Sequence, residues 1–201
     1  RVLRATAQGM EALCSAASLG DVAAVRRAIE SEDPLLGEKL EGGYTLLHVA
    51  ARAGQAEVVG LLTEAEAMPV DAQTRDGHTA LLLAAEAGCV AAVDILLEAD
   101  ADPDAETVDA ITALQQAAKA GDDATLASLL AAYADFDAED DFDCTALIRA
   151  AAGGFDGCVN QLLEAGADTE AGADVGEGTA LVWAAGGGHA ACVGVLLDGG
   201  A

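Results

Sequence analysis

Thr79-Ala80-Leu81-Leu82-Leu83-Ala84-Ala85-Glu86-Ala87-Gly88 is one copy of a phrase that returns every 33 or 34 residues. The other copies start at Thr45 (TLLHVAARAG), Thr112 (TALQQAAKAG), Thr145 (TALIRAAAGG) and Thr179 (TALVWAAGGG). A period of this length marks stacked supersecondary units, none of which can bury its apolar face alone. Function is therefore sought on a surface shared by several units, not in one pocket.

Each copy reads as a helical hairpin. Asp76-Gly77 is a turn signal, and Thr79 stands where its hydroxyl caps the open N–H groups of a short helix. Leu81, Ala84 and Ala85 share one face of that helix, and Gly88 ends it. Residues 90 to 99 form a second helix, with Val93, Leu96 and Leu97 as its apolar stripe. The paired alanines let neighbouring helices approach closely, so a larger side chain at Ala84 overpacks the layer. After the second helix, Ala101 to Ala105, Ala134 to Ala138 and Ala167 to Ala171 alternate small or apolar with acidic residues, which suits an extended connection projecting as a finger.

Composition agrees with thin helical layers. The 201 residues are 53% hydrophobic but only 3% aromatic. Nine Lys+Arg against 35 Asp+Glu give a formal charge of -26, and no Lys or Arg follows Arg149. Such a field repels phosphate backbones and anionic membrane surfaces, which argues against direct nucleic-acid binding. It favours a basic partner, or serves to keep an Ala/Leu-rich chain dissolved. No apolar run reaches the length of a membrane span, so direct membrane insertion is not expected. Cys14, Cys89, Cys144, Cys158 and Cys192 form no C-x-x-C pair and are odd in number. They read as small buried hydrophobes in an intracellular reducing compartment, cytoplasm or organelle interior.

On these residues the chain resembles the ankyrin-repeat proteins, whose 33-residue unit carries a Thr-Pro-Leu-His-x-Ala phrase. Ala80, Ala113, Ala146, Ala180 and Leu46 replace the proline, and only His48 keeps the histidine. Leu82, Gln115, Ile148 and Val182 stand at the histidine position elsewhere, which puts the loop-to-loop hydrogen bonding of that residue in question. The resemblance implies an all-α, ankyrin-repeat solenoid of helix-turn-helix units with short β-hairpin-like finger loops. It divides the chain into an N-terminal capping repeat over residues 1–42, with a weaker copy at 12–20, and five repeats at 43–76, 77–109, 110–142, 143–176 and 177–201. Because Arg1 is not a methionine and the family pattern runs on past Gly199-Gly200-Ala201, sequence is expected on both sides.

Signals of chemistry are weak. Gly186-Gly187-Gly188-His189 lacks the Lys and Ser or Thr of a phosphate loop and falls where other copies end a helix. The acidic run Asp135 to Asp143 fails calcium-loop spacing, since Asp140 takes the place of the turn glycine and Ala146 that of the bidentate glutamate. It reads as a solvated finger. His48, His78 and His189 occupy three different repeat positions, with His78 expected to be exposed. No catalytic signature is present, so no enzyme activity, no cofactor and no metal site is expected.

The resemblance places partner contacts on the finger tips and the exposed side of each first helix. Carried onto this chain, those positions are Tyr44, Arg52, Arg75, Asp76, His78, Glu86, Ile111, Lys119, Phe142, Arg149 and Trp183, with Val108, Asp109 and Asp141 beside them. Aromatics and arginine are the usual interface anchors. Trp183 reads equally as an anchor or as a packing residue, and Phe136 reads as core. The leading expectation is a protein–protein interaction module or scaffold; the alternative is a permanent structural or accessory subunit of a large intracellular or organellar assembly. Gly186, Gly187 and Gly194 weaken the last repeat, so residues 172 to 201 are expected to fray.

Overall fold

The computed structural model describes residues 2–65, 68–173 and 178–201. They fall in two compact units, Arg1–Asp102 and Pro103–Ala201.

The first unit contains α1 (Val2–Leu19), α2 (Val22–Glu30), a 3-10 turn (Glu41–Gly43), α3 (Leu46–Arg52), α4 (Ala56–Glu64), α5 (Ala80–Glu86) and α6 (Val90–Glu98). First helices pack on first helices, α1 on α3 and α3 on α5, while α2, α4 and α6 form a second row. The second unit repeats this arrangement. It holds α7 (Ala113–Ala120), α8 (Asp123–Ala131), α9 (Ala146–Gly153), α10 (Asp156–Ala165), α11 (Ala180–Gly187) and α12 (Ala190–Asp198). Here α7, α9 and α11 stack, as do α8, α10 and α12.

Local chemistry starts each helix. Thr45, Thr79, Thr112 and Thr145 have extended backbones, and their hydroxyls accept the N–H of His48, Leu82, Gln115 and Ile148. Thr179 has the same backbone but makes no such bond. Helices of seven to ten residues are marginal alone, so burial between hairpins holds them. In the first unit the buried ribbon runs through Leu47, Ala50, Ala51, Leu81, Ala84 and Ala85, backed by Val59, Leu62, Val93 and Leu96. The second uses Leu114, Ala117, Ala118, Leu147, Ala150 and Ala151, backed by Leu126, Leu129, Val159 and Leu162. Leu97 is only half-buried; Ala92 takes its place in the stripe.

Most fingers are turns rather than hairpins of strand. A backbone N–H to carbonyl bond spanning four residues closes each tip: Leu40 to Tyr44, Thr74 to His78, Thr107 to Ile111 and Asp140 to Cys144. Among the described residues the only strands are β1 (Gly172–Ala173) and β2 (Gly178–Thr179), an antiparallel pair. Finger bases are tied from repeat to repeat by carboxylates. Asp71 accepts the Asp102 N–H in the first unit, and Asp104 and Asp137 accept those of Asp135 and Asp168 in the second. The acidic alternation is thus a hydrogen-bond ladder as well as a charged surface. Phe136, expected in the core, is half-buried, because it lies in the turn that leaves the second helix and not under it. The capping repeat has a longer first helix than residues 12–20 suggested, and Asp21 caps α2 through the Ala24 N–H. The 176/177 repeat boundary lies outside the described residues.

Candidate protein-binding surfaces

Fingertip geometry follows from the residue that opens each closing bond. Thr74 Oγ1 accepts the His78 N–H and Thr107 Oγ1 the Ile111 N–H. Asp140 does this work in the next tip: its Oδ1 accepts the N–H groups of Phe142 and Cys144, and its Oδ2 pairs with the Arg149 guanidinium. Adjacent tips are also linked, Arg75 N–H to Gly42 C=O at 2.8 Å and Asp141 N–H to Asp109 C=O at 3.3 Å. Held this way, the tips present Arg75, Asp76, Val108, Asp109, Asp141 and Phe142 to solvent.

In α3 and α7 a buried side chain of the first helix braces the finger beyond it. His48 Nδ1 accepts the Thr45 N–H while its Nε2 meets the His78 carbonyl at 3.0 Å. Gln115 replaces that histidine: Oε1 accepts the Thr112 N–H, and Nε2 donates to the carbonyls of Ala138 and Cys144. The loop-to-loop bonding in question therefore survives at Gln115. Burial lowers the His48 pKa, with the His78 carbonyl bond opposing the shift.

Within each unit the first helices leave a column open. Seven residues after each threonine stand Arg52, Glu86, Lys119, Ala152 and Gly186, all exposed. In the first unit Arg52 and Tyr44 line one groove with Ser18, Val49 and Ala53, and the Tyr44 ring meets His48 edge-on at 5.8 Å. In the second unit Ala152, Val182, Trp183, Gly186 and Gly187 line a groove of about 520 Å³.

Not every expected contact residue faces outward. His78 is half-buried with its Nδ1 buried and unpartnered, because its carbonyl is drawn in toward His48. Arg149 is only 16% exposed and is occupied by Asp140. Ile111 and Tyr44 are half-buried, whereas Arg52, Glu86, Lys119, Phe142 and Trp183 are open. Asp140, read as part of a solvated run, is a buried organiser of its tip. Nothing in the acidic run marks it except its alignment with Thr74 and Thr107.

The five cysteines are free, two buried and three half-buried. Burial pushes the Cys158 thiol up to about 12, reinforced by its bond to Asp123, and also raises Cys14, Cys144 and Cys192. Cys158 and Cys192, fully buried, are packing groups. No helix among the described residues is long and apolar enough to cross a membrane.

Hairpins with capped first helices, an aliphatic ribbon and braced, exposed tips define a repeat scaffold of the kind that generally serves protein–protein interaction. The chain belongs to the ankyrin-repeat family: the model for ankyrin repeats (3 copies) matches residues 13–107 and 101–173. Among solved structures it is similar to the crystal structure of the human ASB11 ankyrin repeat domain, at 28% identity over 94% of this chain and 83% of that one, with a TM-score of 0.83. No curated protein matches it. Ankyrin repeat proteins are typically non-catalytic.

Proposed function

We propose that this chain is a scaffold that docks a protein partner on its fingertips and on the open column of its first helices, without chemistry of its own. The observation that carries this is the column itself. Around it the four repeats that start at Thr45, Thr79, Thr112 and Thr145 keep the same Thr, Leu and Ala at near-zero exposure, with Thr179, Leu181 and Ala185 of the last more open, yet the exposed position holds a different side chain each time: Arg52, Glu86, Lys119, Ala152, Gly186. A constant frame with one variable, open position suits recognition. The charge of -26 supports a partner with a basic surface.

A second reading, a permanent subunit of a larger assembly, is favoured by the exposed aromatics Phe142 and Trp183, which suit a lasting apolar contact.

One experiment addresses both. The partner is captured with the intact chain and with a Phe142→Ala/Trp183→Ala variant that retains its helical circular dichroism, over rising salt. Loss of capture in the variant supports docking on these surfaces, and unchanged capture overturns it. Release by salt indicates charge-steered recognition, and persistence indicates a permanent subunit.

A further inference from the structure

The groove beside Trp183 has a composition that specifies more than a generic contact. Its floor exists because the open column ends in glycine. A Cβ built on Gly186 meets nothing within 4 Å, so the site carries empty space where Arg52, Glu86 and Lys119 project side chains in other repeats. Its neighbour differs: a Cβ on Gly187 would strike the His189 ring, which would have to shift. Trp183, 40% exposed, forms one wall, and Val182 and Ala152 complete an uncharged lining.

The second unit, which holds this neutral slot, is strongly acidic in composition. Lys119 and Arg149 are the only Lys or Arg from residue 103 onward, and Arg149 is already held by Asp140. An acidic ligand is repelled by such surroundings, and a purely aliphatic one gains nothing from the field. An arginine side chain matches both features. Its methylene stem covers the apolar floor, while its planar, weakly hydrated guanidinium stacks on an indole face and is drawn by the negative field. Lysine shares the charge but brings a compact, strongly hydrated head that fits a flat aromatic wall less well.

Resting on the docking reading above, we infer that the Trp183 groove receives an arginine side chain from a basic segment of the protein partner, its guanidinium over the indole and its stem over Gly186. The groove is an anchor point within the wider docking surface, and it sets the partner's chemistry there.

Trp183 is the only tryptophan of the chain, so its emission reports the site directly. The probe is an acetylated, amidated ten-residue peptide of alternating glycine and arginine, compared with the same peptide carrying neutral citrulline. The arginine peptide is expected to change Trp183 emission saturably and more weakly at high salt, while the citrulline peptide does not. Gly186→Leu fills the slot in open space and favours the helix, so circular dichroism is preserved. Anisotropy of the fluorescein-labelled arginine peptide should then show roughly tenfold weaker binding, the size of one desolvated anchor contact. Equal affinity for Gly186→Leu, equal binding of the citrulline peptide, or no saturable binding would overturn the arginine slot. If partner capture still fails in the Phe142→Ala/Trp183→Ala variant, the docking reading stands without it. Capture that ignores those substitutions removes the docking reading itself.

Discussion

Replacing Gln115 by leucine tests whether the brace between first helix and finger stabilises the second unit. Gln115 is 1% exposed and holds three backbone groups: the Thr112 N–H at 3.1 Å, the Ala138 carbonyl at 2.8 Å and the Cys144 carbonyl at 3.1 Å. Cys144 keeps its bond from the Asp140 N–H, so leucine strands two groups, the Thr112 N–H and the Ala138 carbonyl. Each costs about 1–3 kcal/mol when left unpaired in the interior. Leucine's extra apolar burial returns about 1–2 kcal/mol, leaving a net loss of about 2 kcal/mol. Histidine is the control, because His48 accepts the Thr45 N–H and reaches the His78 and Ala72 carbonyls in the first unit. Gln115→His should stay within about 1 kcal/mol of the parent, since the hydrogen bonds are replaced rather than deleted. Urea unfolding followed by Trp183 emission reads this unit specifically. If Gln115→Leu is as stable as the parent, or Gln115→His as damaging as Gln115→Leu, the bracing argument is wrong.

Three more outcomes are expected. His48 has a folded pKa below 6.5, so the fold prefers the neutral ring; its contribution is present above that value and is lost as pH falls through the lower folded pKa. Unfolding midpoints at pH 7.5 and 5.5 should therefore differ more in the parent than in His48→Gln, and equal differences would refute this. Ala110 sits at φ 56, where Gly77 sits at φ 80 in the preceding tip. Ala110→Gly should stabilise the protein by about 1 kcal/mol in thermal unfolding, and a loss would show that the alanine is not strained. Gly186→Ala and Gly194→Ala enter open space within α11 and α12. Each should add roughly 1 kcal/mol and slow amide exchange over residues 180–198, which in the parent should be faster than over 79–130.

The repeat period made the helices legible because threonine caps, paired alanines and terminal glycines act within a few residues of where they stand. Bracing of the fingers was harder to read. His48 and Gln115 differ in sequence, but each places an acceptor and a donor at similar reach, an equivalence visible only once they meet carbonyls at the same repeat position, those of His78 and Cys144. Arg149 looked like a contact residue because its spacing puts it on the open side of a first helix. Its occupation by Asp140 depends on a turn nine residues away. His78 shows the same limit: a tip position implies exposure, yet closure of the turn buries its Nδ1.

The amino-acid order by itself determined the class of fold, the hairpin unit and the aliphatic ribbon, because capping, periodicity and side-chain volume are local properties repeated in register. Only the tertiary arrangement decided which polar residues hold the fingers together and which remain open to a partner. Asp140 and Asp141 are adjacent carboxylates in one acidic run, yet one is buried under three hydrogen-bonding partners and the other faces solvent. That choice belongs to the path of the backbone between repeats, since a carboxylate leaves water only where N–H groups and a guanidinium already converge to replace it.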